Sequence, residues 1–247
     1  MRPAVALAAG LALALPDIAI ASNNATSMSA LYGVGFDDVA NGMASESERL
    51  FTLRLENSLS WRYGDSYIYI DMASGRFASG EGTGYDIFGK WGPRLSLSKV
   101  CGTEIAAGPI GDVLIAADVQ RSAGFSALHG GLGTSLNVPG FDYLNLNFFI
   151  RDDNFNDPTY QVASSWSLPF RLGARFVFQG YVAVYGTDAK AVNVLTQPQF
   201  LIDAGELAGL GEGQLQLGAE VWIAHTADFA GEPYTTVAPQ ILARFTF

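Results

Sequence analysis

Charge is scarce in this sequence. Asp, Glu, Lys and Arg make up 15% of its 247 residues, against about 25% in soluble globular domains, so a wholly water-facing exterior is hard to build from it. Cysteine is reduced to Cys101 alone, which excludes an intrachain disulfide. The two histidines and the formal charge of −10 argue against nucleic acid as a partner, because phosphate binding needs clustered bases. Beyond the N-terminus no apolar run reaches the roughly 20 residues that a membrane-crossing helix requires.

What is present is aromatic and glycine-rich: 12% Phe, Trp and Tyr, and 28 glycines. The N-terminus reads Arg2, an apolar stretch from Ala4 to Leu15, then Ala19-Ile20-Ala21, the layout of a secretory signal with a small-x-small cleavage site. The expected division is a cleaved signal peptide over 1–21 and one folded unit over 22–247. An exported chain without apolar helices either stays in the periplasm or enters the outer membrane as a closed barrel, in which every backbone group finds a partner.

From residue 29 the chain alternates apolar and polar with period two, broken by Gly, Asp, Asn and Pro. Phe51, Leu53 and Leu55 oppose Thr52, Arg54 and Glu56; Leu144, Leu146 and Phe148 oppose Asn145, Asn147 and Phe149; Val237, Ile241, Ala243 and Phe245 oppose Gln240, Arg244 and Thr246. Such segments fall at 29–37, 49–62, 65–73, 85–99, 110–121, 126–138, 143–152, 159–168, 172–185, 195–204, 213–225 and 234–247. The fold class is therefore all-β, a transmembrane antiparallel barrel of about 12 strands. Tight turns are expected at Tyr63-Gly64, Pro139-Gly140 and Pro169-Phe170, and longer outer loops at 74–84, 153–158, 186–194 and 226–233. The connections around 100–108 and 205–212 are longer than this pattern prefers. Trp61, Trp91, Tyr160, Trp166, Tyr234 and Phe247 are expected as outer girdle aromatics. A periplasmic β-sandwich would alternate too, but it would not give every strand a strongly polar second face.

The polar face of each strand then lines the lumen. Candidate solute contacts are Tyr67, Tyr69, Asp71, Arg94, Asn145, Asn147, Phe149, Arg151, Gln161, Arg175, Tyr181, Gln199, Glu220 and Trp222. Amides among them donate and accept, and inward rings offer stacking surfaces to a planar solute. Paired charges and rings that merely fill the bore are the plainer reading of any single position. Gly130-Gly131-Leu132-Gly133 sits within a strand and opens no helix, so it is a crowded wall rather than a phosphate cradle. No residue pattern calls for a metal or cofactor.

Several stretches resemble the Tsx family of nucleoside-specific channel-forming proteins, including its OmpK branch. They are GLGTSLNVPGFDYLNLNFFIRDDNFNDPTYQVASSW at 131–166, WSLPFRLG at 166–173 with Phe178-Gln179-Gly180, TQPQFLIDAG at 196–205, PRLSLSK at 93–99 and APQILARFTF at 238–247. The resemblance implies a monomeric twelve-stranded barrel in outer-membrane lipid, passing nucleosides or similar small solutes by facilitated diffusion without a cofactor. It also implies that outer loops can serve as phage or colicin receptors, as in some members. A generic small-solute pore and a structural or receptor barrel remain the alternatives. An outer-membrane enzyme would need a Ser/His pair; His225 falls on the lipid face, while inward His129 has its nearest serines, Ser126 and Ser135, several residues away.

Overall fold

A computed structural model of the chain describes residues 24–36, 48–75, 84–188, 190–229 and 232–247. Strand follows strand: β1 (Ala25–Val34), β2 (Arg49–Trp61), β3 (Gly64–Gly75), β4 (Gly84–Ser96), β5 (Ile110–Arg121), β6 (Ser126–Leu136), β7 (Tyr143–Asp153), β8 (Thr159–Leu172), β9 (Ala174–Gly186), β10 (Val192–Thr196), β11 (Gln199–Asp203), β12 (Leu215–Phe229) and β13 (Glu232–Thr246). Two short helices, α1 (Leu97–Cys101) and α2 (Ala204–Leu207), interrupt the series. Neighbours pair antiparallel, and β13 returns to β1 from Ser27↔Thr246 to Gly33↔Gln240, which seals the cylinder. Closure leaves no sheet edge unpaired.

The thirteen strands occupy twelve places. β10 and β11 both lie between β9 and β12 and are halves of one stave, broken at Gln197-Pro198. Pro198 has no N–H to give; its carbonyl accepts from Val221 N at 3.0 Å, while Gln197 N donates to Tyr181 O at 3.1 Å. A Cβ on Gly180 would stand 2.6 Å from the Gln197 carbonyl, so only glycine lets the two backbones meet there.

Outward positions carry exposed Phe51, Ile115, Leu132, Phe148, Phe200 and Ile241, while Arg54, Gln161, Glu220 and Arg244 are buried inside. This inverts the soluble pattern and gives the apolar belt of a membrane barrel. Among the expected girdle rings, Trp91, Tyr160 and Phe247 are exposed on that belt. Tyr234 differs: it shares the parity of inward Thr236 and Ala238 and pairs with Thr226, a lumen residue.

Several expected boundaries shift for identifiable reasons. The first strand runs over 25–34 rather than 29–37: Gly35 takes φ 83, and Phe36 turns inward to meet Trp222 at a centroid distance of 5.9 Å. The segment expected at 85–99 stops at Ser96, whose side chain caps α1 by accepting from Lys99 N at 3.1 Å, with Gly102 at φ 66 ending the helix. Asp203 caps α2 in the same manner and also accepts from Gly213 N. These helices account for the long connections at 100–108 and 205–212. The turn expected at Pro169-Phe170 lies instead at Gly173, φ 79, and Pro169 pairs with Val177 within the β8–β9 hairpin. β7 pairs with β8 only as far as Ser167, so the proline's missing donor faces no partner strand on that side. β10 starts at Val192, and β12 and β13 extend into the stretch expected as a loop at 226–233. The expected signal segment 1–21, and residues 76–83 of the expected loop at 74–84, lie outside the described residues.

Pairing is also interrupted between β4 and β5. β4 and β5 are in register at Gly89↔Arg121 to Trp91↔Val119 and again from Arg94↔Ala116, but not at Gly92 and Pro93. Trp61, Pro93, Leu95 and Ile115 line a shallow apolar notch there, on the outer surface.

Candidate functional site

The barrel encloses a continuous cavity of about 1820 Å³, and its wall has two unlike parts. One spans β11, β12, β13, β1 and β2 and is densely interlocked, although Arg54, Glu56, Gln199, Gln240 and Arg244 still border the cavity. Leu31, Leu201 and Leu242 form an inward apolar cluster, and Phe36, Leu50, Trp222, Ala224 and Ala238 form a second. Around them lies a lattice of charges. Arg54 grips Asp71 with two N–H groups at 2.8 and 2.9 Å and reaches Glu220 with a third. Glu220, fully buried, also accepts from the amides of Gln240 at 2.9 Å and of Gln199. Arg244 donates to Glu56 at 3.0 Å, Gln199 at 2.9 Å and Ser29 at 3.2 Å. Desolvated charges persist only when paired and hydrogen-bonded in this way.

The other part, β3 to β9, faces open space. Lys90 pairs with Asp118 at 2.9 Å, and Asp118 with His129 Nδ1 at 3.1 Å. Arg151 approaches His129 Nε2 at 3.3 Å and bonds Gln161 at 2.8 Å and Asp153 at 2.7 Å. A guanidinium only donates, so Nε2 accepts and Nδ1–H points to Asp118. Both ring nitrogens of His129 are engaged, which makes it a wall residue. His225 lies on the outside, against Thr235.

Along this open wall the rings form a row. Tyr67 stacks near Tyr69 at 6.4 Å, Tyr69 meets Phe88 at 5.6 Å, Phe88 lies 6.5 Å from Phe125, and Phe125 lies 6.2 Å from Phe155. Tyr67 stands four residues beyond Tyr63 of the Arg62-Tyr63 turn, whereas Phe125 and Phe155 belong to the opposite, outer connections. The row therefore runs from the outer mouth toward the periplasmic one. Cations flank it: Arg54 over Tyr69 at 5.1 Å and Arg151 over Phe125 at 5.7 Å, with Tyr185 on Arg151 at 4.3 Å. Lys90, on β4, comes 5.6 Å from the ring of Tyr181 on β9. That contact crosses the bore and narrows it.

Of the residues expected from alternation, Tyr67, Tyr69, Asp71, Arg94, Asn145, Asn147, Phe149, Arg151, Gln161, Tyr181, Gln199 and Trp222 border this cavity. Glu220 belongs to the packed lattice. Phe149 and Trp222 present little of their rings to it: Phe149 is 7% exposed beside His129, and Trp222 is 5% exposed beside Phe36. Arg175 sits at the periplasmic rim, 3.6 Å from Asp203 and 3.3 Å from Glu212. Lys90, Phe88 and Tyr185 were not among the expected contacts, although two-residue steps back from Arg94 reach Lys90 and Phe88. Phe125 and Phe155 lie in connections, where alternation gives no signal. Gly131 and Gly133 are inward, and a Cβ on Gly131 would collide with the Phe148 carbonyl, so the glycine cluster is crowded wall.

No family model matches the chain. It is 30% identical over 142 residues to the outer membrane protein OmpK of Vibrio parahaemolyticus, a match over 52% of this chain and 53% of that protein. The chain thus spans about half the length of the curated relative it matches. Among solved structures, a KdgM porin superposes with a TM-score of 0.52 at 6% identity, over 90% of this chain and 99% of that one. A NanC porin gives 0.51 at 10% identity, over 89% and 98%. A further KdgM structure, in complex with disordered oligogalacturonate, gives 0.51 at 6%. These likenesses establish the fold, a closed porin-type β-barrel, and about half of the chain is similar to an outer membrane protein, OmpK.

Proposed function

We propose that this barrel is a diffusion channel for small polar solutes and that nucleosides are its preferred class. The observation that carries this reading is the row of rings along an otherwise polar, water-accessible wall. A ring beside water gains little from burial, yet it can hold the flat face of a base, at about 1–3 kcal/mol per base. Amides and paired charges beside the row, such as Gln161, Asn145 and Asp71, meet the hydroxyls and heteroatoms at the edge of such a solute. Several weak stations let a solute leave as readily as it enters. The 30% identity to OmpK supports the same reading. Transport of this kind runs down a gradient and calls for no cofactor.

Planar-bilayer recording tests it. Purified protein should give a small conductance that adenosine or thymidine partly blocks. A conductance that no nucleoside affects would leave a generic pore, and no conductance at all would mean a structural barrel.

A further inference from the structure

Among the described residues, every base bordering the lumen already has its carboxylate. Arg54 is held by Asp71 and Glu220, Lys90 by Asp118, Arg94 by Asp65, Arg151 by Asp153 and Arg244 by Glu56. Arg54 answers two carboxylates, so the packed wall holds an excess of negative charge. Three more carboxylates border the cavity without a base at ion-pair distance among the described residues: Asp86, Asp142 and Asp188. Asp188 accepts from the backbone N–H of Asp157 at 2.8 Å, and Asp142 from the Ser167 hydroxyl at 3.2 Å.

Their positions give the excess a direction. Asp86 lies near the outer end of β4 and Asp188 in the β9–β10 connection, so both stand at the outer mouth. Asp142 lies in the β6–β7 turn, at the periplasmic mouth. Among the described residues that line the cavity, the charge left uncompensated at both openings is therefore negative, while the middle of the bore is largely paired. A narrow passage through a low-dielectric wall concentrates such a field, and carboxylates lining a pore favour cations.

We propose that the lumen is cation-selective and discriminates against anionic solutes, with Asp86, Asp142 and Asp188 setting the preference. The solutes it passes are then neutral or cationic, and the phosphorylated or carboxylated form of a molecule is held back relative to the uncharged form. This rests on the channel reading but not on the nucleoside one, since it follows from charge alone.

The test is reversal potential in a planar bilayer across a KCl gradient kept at or below about 0.1 M, where screening is weak. The wild type should reverse at a potential of the sign set by K⁺, and D86N/D142N/D188N should move it toward zero. Liposome swelling supplies an independent readout: galactose should enter severalfold faster than galacturonate, and the triple variant should narrow that gap. A wild-type reversal at zero or at the chloride sign, a triple variant indistinguishable from wild type, or equal entry of the two sugars would overturn the proposal. Complete absence of conductance and swelling would overturn the channel reading together with it.

Discussion

The two inner walls of this barrel are made of the same residue types and yet do different work. From β11 to β2, Arg, Glu and Gln interlock with Leu31, Leu201, Phe36 and Trp222 until almost nothing is exposed. Both arcs border the cavity, but from β3 to β9 the charges are joined by the row of rings. The difference is one of completeness: an arginine whose donors are all taken holds the wall together, whereas a ring with one free face is available to a passing solute. Stability and passage are thus assigned to separate arcs of one sheet.

Substitutions should separate the arcs. Arg54→Ala leaves Asp71 and Glu220 buried without their partner and should cost about 3–5 kcal/mol, read as a lower urea midpoint in detergent and loss of the heat-shifted electrophoretic band. Phe36→Ala removes the ring over Trp222 and should cost about 3 kcal/mol, with a red shift in tryptophan emission as that indole is wetted. On the open arc the pattern reverses. Phe125→Ala should leave the urea midpoint unchanged while weakening nucleoside block roughly fivefold, at about 1 kcal/mol for one lost stacking face; an equal loss of salt conductance would count against stacking. Arg171, at the exposed rim against Glu206 and Glu212, belongs to neither arc, and Arg171→Ala should change neither midpoint nor block.

Alternation alone revealed the barrel, because period two survives wherever one face meets lipid and the other does not. It placed Arg54, Tyr69, Arg151 and Tyr181 on the inner wall correctly. It could not tell Phe149 and Trp222, whose rings are covered, from Tyr69 and Tyr181, since covering is done by residues distant in sequence, such as Phe36. It also carried the first strand past Phe36 to residue 37, where one glycine at positive φ ends the period. Pro169 suggested a turn because proline usually ends a strand; that β7 stops short beside it is a fact of register, which no local pattern records. The outer-mouth rings Phe125 and Phe155 lie where the chain has no period at all.

The missing pairing between β4 and β5 at Gly92 and Pro93 bears on how the cylinder fails under load. Each hoop of the wall is only as strong as its sparsest junction, and here two consecutive rungs are absent. A molecule pulled from the bilayer by its C-terminus should peel hairpin by hairpin and then pause, leaving β1 to β4 anchored as one remnant after everything beyond that junction has torn away.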